Sequence, residues 1–266
     1  MNQLKKGDYF GSHYQKSVFD EIIVTDTEYT HPKVDWHYHQ NPYFTFLLQG
    51  QLFEANKKES YHLEQGSLLF HNWQDAHYNI KPPVYTRGFH VELNENWFKK
   101  FDIPPVNFEG SMNLKNPLAK SLMGKIFIES RANDQIISLG LDSLLIELFS
   151  TIGDTQKISS KKPDWVSKLQ ELLWEENSDY SLQYLSATLG IHPIHLSREF
   201  SRYFGTNISQ YIRLVKVNKA FVLMASHKFS LTEICYQCGF YDQSHFISSF
   251  KRVFQTTPSK LLSKMC

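Results

Sequence analysis

Short apolar runs separated by turn-forming residues dominate roughly the first 110 residues of the chain. Residues 44–48, 51–54, 67–70 and 88–93 are apolar or alternate between apolar and polar positions, and Gly, Asn, Asp and Pro lie between them. Short runs of this kind are typical of β-strands with at least one buried face. The pattern predicts a β-sandwich or a β-barrel.

Between residues 116 and 154 the apolar positions change to helical spacing. They predict a long helix beginning near residue 137, preceded by a helix over residues 118–129. Such helices need an apolar partner: they pack on the barrel wall alone, or they also form a dimer interface. We favour the second alternative because Phe127, Leu144 and Phe149 widen the apolar surface beyond one stripe. The stripe itself consists of Ile137, Leu141, Leu144, Leu145, Leu148 and Ile152.

A polar segment divides the chain. Residues 159–162 are Ser-Ser-Lys-Lys, and they are followed by Pro163, which disfavours helix at the preceding residue. We therefore predict two domains, residues 1–158 and residues 164–266. The expected fold class is α+β, with a β-barrel followed by helices and then an all-α domain.

The second domain contains an internal repeat. A pattern of Ser-Leu followed by an apolar residue and a glycine begins at Ser181 and returns 49 residues later at Ser230. Both serines suit the N-cap position, and Glu233 completes a capping box with Ser230. Gly190 and Gly239 can adopt the left-handed backbone that ends a helix. Each copy therefore predicts a short helix, a turn and a second helix.

The second helix of each copy is amphipathic. Its apolar residues recur at i, i+4, i+7 and i+8, while the opposite face carries short polar, amide and cationic groups. A helix about 10–12 Å across fits the major groove, where Arg pairs with guanine and Gln with adenine. This chemistry is typical of a helix-turn-helix; the alternative is two ordinary helix pairs with solvated faces. The apolar residues are Leu196, Phe200, Tyr203 and Phe204 in one copy and Phe246, Phe250, Val253 and Phe254 in the other.

One helix is predicted between the two copies. Residues 207–226 lack Gly and Pro and keep apolar residues near helical spacing. At 1.5 Å per residue this helix spans about 30 Å, close to the ~34 Å pitch of DNA. The two copies could therefore occupy successive segments of the major groove.

The charge distribution agrees with a nucleic-acid partner. The chain carries 28 Lys and Arg against 27 Asp and Glu, but residues 181–266 carry 10 against 3, an excess of seven positive charges. No run approaches the roughly 18 apolar residues of a membrane span, and no apolar block follows Lys5 and Lys6. Three cysteines cannot form an even disulfide framework. We therefore expect a cytoplasmic protein without a membrane partner.

The carboxy-terminal segment resembles the AraC/XylS family of bacterial transcription regulators over residues 181–262. The most specific part is the pattern ICxxCGFYDQSHFxxxFKRxFxxTPS of residues 234–259. The resemblance implies a seven-helix module with two helix-turn-helix motifs that bind double-stranded DNA, and activation as the usual output. By matching position it implies the base-facing residues Ile194, Ser197 and Arg198 in the first motif and Gln243, Ser244 and Ser248 in the second. The candidate phosphate contacts are the flanking cations Arg202, Lys251 and Arg252.

The first domain carries a second resemblance. The WHYH sequence of residues 36–39, Tyr43, two glycines and His77 have a spacing similar to the motifs of cupins, small β-barrels whose metal-binding members use three His and one Glu. Tyr43 stands at the position of that Glu. His37, His39 and His77 can still form a metal site with an open position, but we favour a metal-free ligand pocket, and a filled barrel is the third alternative. The candidate effector pocket comprises Trp36, His37, His39, Tyr43, Trp73 and His77.

Together these features predict a DNA-binding transcription regulator with a cupin-like sensing and dimerising domain and a double helix-turn-helix domain. The expected partners are double-stranded DNA, a small-molecule effector such as a sugar or related metabolite, and a second copy of the chain in a homodimer. The effector would alter either operator affinity or a contact with RNA polymerase, and no catalytic residue or cofactor is expected. The main alternative is a metal-dependent cupin enzyme with an accessory helical domain. A second is a nucleic-acid-binding protein without sequence preference.

Overall fold

The computed structural model describes residues 2–104, 110–132, 136–157, 163–174 and 180–265. The strands in these ranges are β1 Asn2–Leu4, β2 Gly11–Phe19, β3 Ile22–Tyr29, β4 Lys33–His39, β5 Tyr43–Gln49, β6 Gln51–Asn56, β7 Ser60–Glu64, β8 Leu68–His71, β9 His77–Ile80, β10 Arg87–Leu93 and β11 Ser111–Asn113. The helices are α1 Glu95–Lys100, α2 Pro117–Glu129, α3 Ile137–Lys157, α4 Asp164–Trp174, α5 Leu182–Leu189, α6 Pro193–Phe204, α7 Ile208–Ala225, α8 Leu231–Gln237, α9 Gln243–Phe254 and α10 Pro258–Met265. None of these helices is both long enough and apolar enough to cross a lipid bilayer.

The strands form two sheets that together make the predicted cupin-like barrel. The five-stranded sheet has the order β1-β4-β9-β6-β7, and the six-stranded sheet has the order β11-β8-β5-β10-β3-β2. Leu47 and Leu69 of the larger sheet pack against Leu52 and Leu63 of the smaller one. The sheets therefore face each other, and the α+β fold class is confirmed.

The central strand β5 has both faces covered, which is why all seven of its residues are buried. Successive side chains of a strand point to opposite faces. Phe44 and Phe46 belong to the main apolar core together with α2 and α3, whereas Leu47 faces the smaller sheet. Tyr43 lies on the same face as Leu47 and contributes to a polar end of the barrel interior.

Helices α2 and α3 confirm the two helices predicted after residue 116, and they cover the larger sheet. Asn116 caps α2 by accepting a hydrogen bond from the Leu118 backbone NH at 2.9 Å, and Pro117 occupies its first turn. The structure places Phe127 and Phe149 inside the core. These two side chains therefore do not widen an exposed apolar surface, contrary to our expectation from the sequence. The exposed apolar residues at the start of and along α3 are Ile136, Leu139 and Ile146.

The repeat forms two helix-turn-helix motifs, as predicted. The first motif is α5 and α6, and the second is α8 and α9. Ser181 and Ser230 cap α5 and α8, and Glu233 completes the capping box at Ser230. Gly190 and Gly239 have φ angles of 64° and 68°, the left-handed conformation that glycine adopts without strain. The local sequence thus determines where each of the short first helices begins and ends.

Replacing Ser230 by alanine should lower the free energy of unfolding by about 1 kcal/mol. The side-chain oxygen of Ser230 accepts a hydrogen bond from the Glu233 backbone NH, and alanine leaves that NH without this partner. Denaturant titration of the full chain measures the change. Ser248→Ala, at an exposed position on α9, is the matched control and should stay within about 0.5 kcal/mol. Equal losses in the two variants would contradict the capping role.

Helix α7 is the predicted connection between the motifs, and it also joins the second motif to the barrel. Its Phe221 ring lies 5.5 Å from Phe127 of α2 and 5.1 Å from Phe254 of α9. One continuous apolar core therefore includes the larger sheet, α2, α3 and α7 to α10. Helices α4 to α6 and the first turn of α7 pack in a separate cluster. The predicted polar segment at 159–162 lies outside the described residues, so the division at that point stays a prediction.

Candidate functional site

The proposed base-facing side of the first motif is open to solvent. Helix α6 buries Leu196 and Phe200, and the opposite face carries Ile194, which is 60% exposed. The apolar stripe holds the helix on α5 and α7 and fixes the direction in which its other side chains point. The exposed residues on this face include three candidate DNA contacts, Ser197, Arg198 and Arg202.

The second motif has the same arrangement. Asp242 caps α9 by accepting a hydrogen bond from the His245 backbone NH at 2.7 Å, and Phe246 and Phe250 are buried. The Gln243 amide donates a 2.7 Å hydrogen bond to the Thr232 hydroxyl of α8. A base contact by Gln243 would therefore replace an existing hydrogen bond. The exposed candidates on α9 are Gln243, Ser244, Ser248, Lys251 and Arg252.

The polar end of the barrel interior contains a cluster of imidazole, phenol and carboxylate groups. We call it the histidine cavity and define it by the inward-facing residues of β4, β5, β6 and β9. Trp36 and Tyr38 alternate with His37 and His39 along β4, so the two histidines share the inner face. Sheet pairing brings His77 opposite His37. The residues that form the cavity are His37, His39, Tyr43, Glu54 and His77.

Hydrogen bonds to the backbone fix two of these rings. The Nδ1 atom of His37 lies 2.9 Å from the Asp35 carbonyl oxygen, and the Nδ1 atom of His77 lies 2.8 Å from the Asp75 carbonyl oxygen. A carbonyl only accepts, so each Nδ1 carries the proton and each Nε2 keeps a lone pair. An imidazole held in this way is prepared to ligate a metal ion through Nε2.

Tyr43 occupies the position at which metal-binding cupins carry a glutamate. Its hydroxyl lies 3.1 Å from His77 Nε2, to which it donates a hydrogen bond, and its ring stacks on His71 at 4.2 Å. The nearby carboxylate comes from another strand: Glu54 of β6 has an oxygen 3.4 Å from His71 Nε2 and accepts a 2.8 Å hydrogen bond from Asn79. The structure thus supplies a carboxylate that the motif spacing does not predict.

Burial controls the protonation of the cluster. It lowers the pKa of His37 to about 4 and lowers the pKa of His77. Burial, with neighbouring imidazoles as a second cause, lowers the pKa of His39 and His71 well below the usual range. Burial also raises the pKa of Glu54 to about 8. The imidazoles are therefore uncharged at neutral pH, and the Nε2 lone pair of His77 accepts the hydrogen bond from Tyr43.

Two sets of side chains in this region have spacings suited to a metal ion. One ligand atom from each member lies within 4.8 Å of the others in the set His37, His39 and His77 and in the set Glu54, His71 and His77. Both sets consist of buried residues. Imidazole and carboxylate are ligands that divalent transition metals accept. The residues present therefore fit such an ion, with Tyr43 as the one departure from the cupin ligand pattern.

Two residues of the predicted effector pocket lie elsewhere. Trp36 is 38% exposed on the outer face of β4, where its ring lies 5.1 Å from Tyr78. Trp73 packs against Phe98 of α1 at 4.8 Å. The structure brings His37, His39, Tyr43 and His77 together and does not bring either tryptophan to them. Glu54 is a member that the sequence does not predict, because its place in the cavity depends on the pairing of β6 with β9.

The histidine cavity is small because the amino-terminal segment closes it. Tyr9 stacks on His90 with ring centroids 3.7 Å apart, and Phe10 lies edge-on to His37 at 5.1 Å. Both residues line the cavity, which has a volume of about 30 Å³. A space of roughly 10–15 Å³ of this kind is enough to hold one water molecule. The site therefore has room for an ion or a water molecule.

Comparison with known proteins points to the helix-turn-helix motifs. A family model described as a helix-turn-helix domain matches residues 185–264, which include both α6 and α9. The HTH-type transcriptional activator RhaR of Mannheimia succiniciproducens is 26% identical over 149 residues, 54% of this chain and 54% of that protein. The chain thus matches about half the length of this relative. RhaR of Cronobacter sakazakii is 22% identical over 271 aligned positions, which cover 96% of this chain and 94% of that protein.

Among solved structures, an apo form of ToxT from Vibrio cholerae aligns with 93% of this chain and 99% of its own, at 14% identity and a TM-score of 0.42. The family model matches the segment in which the capped repeat, the buried stripes and the exposed polar faces occur. Residues 185–264 thus match a helix-turn-helix domain family, and the chain is similar to HTH-type transcription regulators, in agreement with the resemblance to the AraC/XylS family.

Proposed function

We propose that this chain is a sequence-specific DNA-binding transcription regulator, and that an effector bound in the histidine cavity controls its affinity for DNA. The observation that carries the proposal is the duplicated motif, in which α6 and α9 are each held by a buried stripe and each present an exposed polar and cationic face. Helices of this size enter the major groove, where side chains reach the base edges. The two RhaR relatives are named transcriptional activators, which supports activation of transcription as the function of this chain.

The base-facing residues of the proposal are Ile194, Ser197, Arg198, Gln243, Ser244 and Ser248. Arg198 is the side chain among them with the strongest readout, because guanidinium can bond guanine through two parallel hydrogen bonds. Arg202, Lys251 and Arg252 flank these faces and contact phosphates. Since α7 has 18 residues, it is about 27 Å long, which separates the two motifs by somewhat less than one turn of DNA.

The proposed coupling between cavity and DNA runs through α7. Gln65, in the turn between β7 and β8, donates a 2.8 Å hydrogen bond to the Val222 carbonyl of α7. Strand β8 ends at His71, whose ring stacks on Tyr43 of the cavity, and the turn before β8 contacts α7 through Gln65. On α2, the Pro117 carbonyl accepts a 2.7 Å hydrogen bond from Asn218. A shift of β8 on effector binding would therefore move the helix that carries both motifs.

We also propose that the regulator forms a homodimer with a second copy of the chain and contacts RNA polymerase. The exposed apolar residues of α3 and its start, Ile136, Leu139 and Ile146, follow roughly one side of the helix and suit a contact with a second copy. A dimer would place four motifs on two operator half-sites.

The small closed cavity argues against the alternative of a metal-dependent enzyme, because organic substrates need pockets of roughly 300–1,000 Å³.

Selection of genomic fragments by the purified full-length protein tests the proposal. At moderate ionic strength we expect a recurring fragment, and Arg198→Ala should weaken binding to it by about 5- to 150-fold, the equivalent of 1–3 kcal/mol, and relax the preference at one base position. Lys251→Ala should weaken binding to all fragments and reduce the salt dependence.

Lys99→Ala is the control, since this residue pairs with Glu95 on α1 away from both motifs. Its fragment affinity should equal that of the unaltered protein. Binding that falls with salt but prefers no fragment would contradict sequence-specific regulation and favour a non-specific nucleic-acid-binding protein.

A further inference from the structure

Helix α9 carries an exposed aliphatic side chain that is not among the expected base contacts. Ile247 is 39% exposed, whereas the phenylalanines and the valine of the same helix are buried. Residues four positions apart share one face of a helix, so Ile247 is in line with Gln243 and Lys251, which are also exposed. The side chain therefore lies on the solvent side of the second motif, between an amide and a cation.

The second helices of the two motifs differ at equivalent positions. In an alignment on the first buried residue of each helix, Arg198 of α6 corresponds to Ser248 of α9. In the same alignment Ser197 corresponds to Ile247. The second motif thus has a hydroxyl where the first has a guanidinium, and an aliphatic group where the first has a hydroxyl. The two motifs therefore cannot read the same bases by the same contacts.

The polar side chains of α9 offer little discrimination between bases. Ser244 and Ser248 carry hydroxyl groups, which both donate and accept and therefore distinguish base edges weakly. The Gln243 amide already donates a 2.7 Å hydrogen bond to the Thr232 hydroxyl of α8, so pairing with adenine would cost that bond. A sequence preference of the second motif therefore depends on an apolar contact.

Thymine is the base that offers such a contact. It projects its C5-methyl group into the major groove, where the other bases present hydrogen-bond donors and acceptors. Contact between Ile247 and this methyl group removes apolar surface of both partners from water, and burial of one methyl-sized group changes affinity by about fourfold. A polar base edge at the same place would lose water without gaining a hydrogen bond from the isoleucine.

We propose that Ile247 is a base-reading residue of the second motif and selects thymine through its C5-methyl group. The proposal rests on the function proposed above and specifies the DNA that the second motif accepts. Each copy of the chain then reads guanine with Arg198 and thymine with Ile247. Since α7 separates the motifs by somewhat less than one turn of DNA, the two bases lie roughly 8–10 base pairs apart.

Replacement of thymine by deoxyuridine in the selected DNA fragment tests the contact. Deoxyuridine pairs with adenine in the same way as thymine and lacks only the methyl group. Thymines are replaced one at a time, and the Kd of the full-length protein is measured for each fragment. We expect one thymine in each half-site at which the replacement raises Kd by about fourfold. It should lie roughly 8–10 base pairs from the position at which Arg198→Ala relaxes the base preference.

Variants of Ile247 assign the methyl contact to this residue. Ile247→Ala should bind the thymine fragment more weakly than the unaltered protein does, and it should bind the thymine and deoxyuridine fragments equally. Ile247→Val, which keeps a branched aliphatic group, should retain a preference for thymine. The matched control is Ile80→Ala: Ile80 is 42% exposed on β9 and belongs to neither motif, so this variant should keep the full fourfold difference. A thermal unfolding curve of each variant establishes that it is folded.

The outcomes separate this inference from the proposed function. A deoxyuridine effect of the same size in the unaltered protein and in Ile247→Ala would assign the methyl contact to another residue and overturn the inference. Insensitivity to deoxyuridine at every thymine of a selected fragment would overturn it too. Both results leave sequence-specific binding intact. Absence of any recurring fragment would overturn the proposed function itself.

Discussion

Replacing Phe221 by alanine should lower the free energy of unfolding by about 3–5 kcal/mol. The Phe221 side chain is 1% exposed, and its ring contacts Phe46 of the barrel, Phe127 of α2 and Phe254 of α9. Alanine leaves a cavity at the place where the barrel, the covering helices and the second motif share one core. Denaturant unfolding of the full chain measures the loss.

The distribution of the loss is more informative than its size. Hydrogen exchange should accelerate in β5, α2 and α9 together, because all three lose the same contact. Phe200→Ala is the matched control: Phe200 is also fully buried, but it packs in the separate cluster of the first motif. Its effect should be confined to α4, α5, α6 and the first half of α7. Acceleration confined to α7 and α9 in Phe221→Ala would contradict a shared core.

Replacing Asp26 by asparagine should destabilise the barrel by about 3–5 kcal/mol. Asp26 is 1% exposed and accepts two hydrogen bonds from Arg87, at 2.7 and 2.8 Å, and another from Arg131. Burial lowers the pKa of Arg131 to about 10, and its guanidinium lies 3.6 Å from the centre of the Phe127 ring. Asparagine removes the only negative charge in this group and leaves two largely buried cations.

The control for this variant is Asp35→Asn. Asp35 also pairs with a cation, Lys33, but its side chain is 83% exposed, and exposed pairs contribute little. Its free energy of unfolding should change by no more than about 0.5 kcal/mol. A loss in Asp26→Asn that is no larger than this would show that water or a rearranged arginine replaces the buried carboxylate.

Both large effects concern contacts between distant parts of the chain, and both bear on the proposed coupling. Arg131 follows the carboxyl end of α2, so its contact with Asp26 holds α2 on the larger sheet. Helix α2 in turn contacts α7 through Asn218 and Phe221. A change in the barrel therefore has a packed, hydrogen-bonded route to the helix between the two DNA-binding motifs.

The effector pocket illustrates how far strand periodicity carries a prediction. His37 and His39 are two residues apart and share a face, which their spacing already indicates. The same rule places Trp36 on the opposite face, so the alternation along β4 already indicates that Trp36 lies outside the pocket. Trp73 follows β8, and its direction depends on the turn and on Phe98 of α1, which no local pattern specifies.

No local sequence rule predicts that Glu54 and His71 lie at the cavity. Glu54 reaches the cavity because β6 pairs with β9 in the register Glu54 to Asn79, and His71 does so because β8 pairs with β5 in the register His71 to Tyr43. A shift of either register by one residue would turn these side chains to the other face. Such pairings join residues up to 28 positions apart in the chain, and they form only in the folded sheet.

The sequence by itself determined strands β5, β6, β8 and β10, the two covering helices and the duplicated helix-turn-helix, because caps, turns and apolar periodicity act within a few residues of one another. Tertiary structure decided which side chains enclose the histidine cavity, how little space Tyr9 and Phe10 leave in it, and that the second motif shares its core with the barrel. Those features depend on strand register and on packing between segments far apart in the chain, where each side chain's surroundings come from other elements.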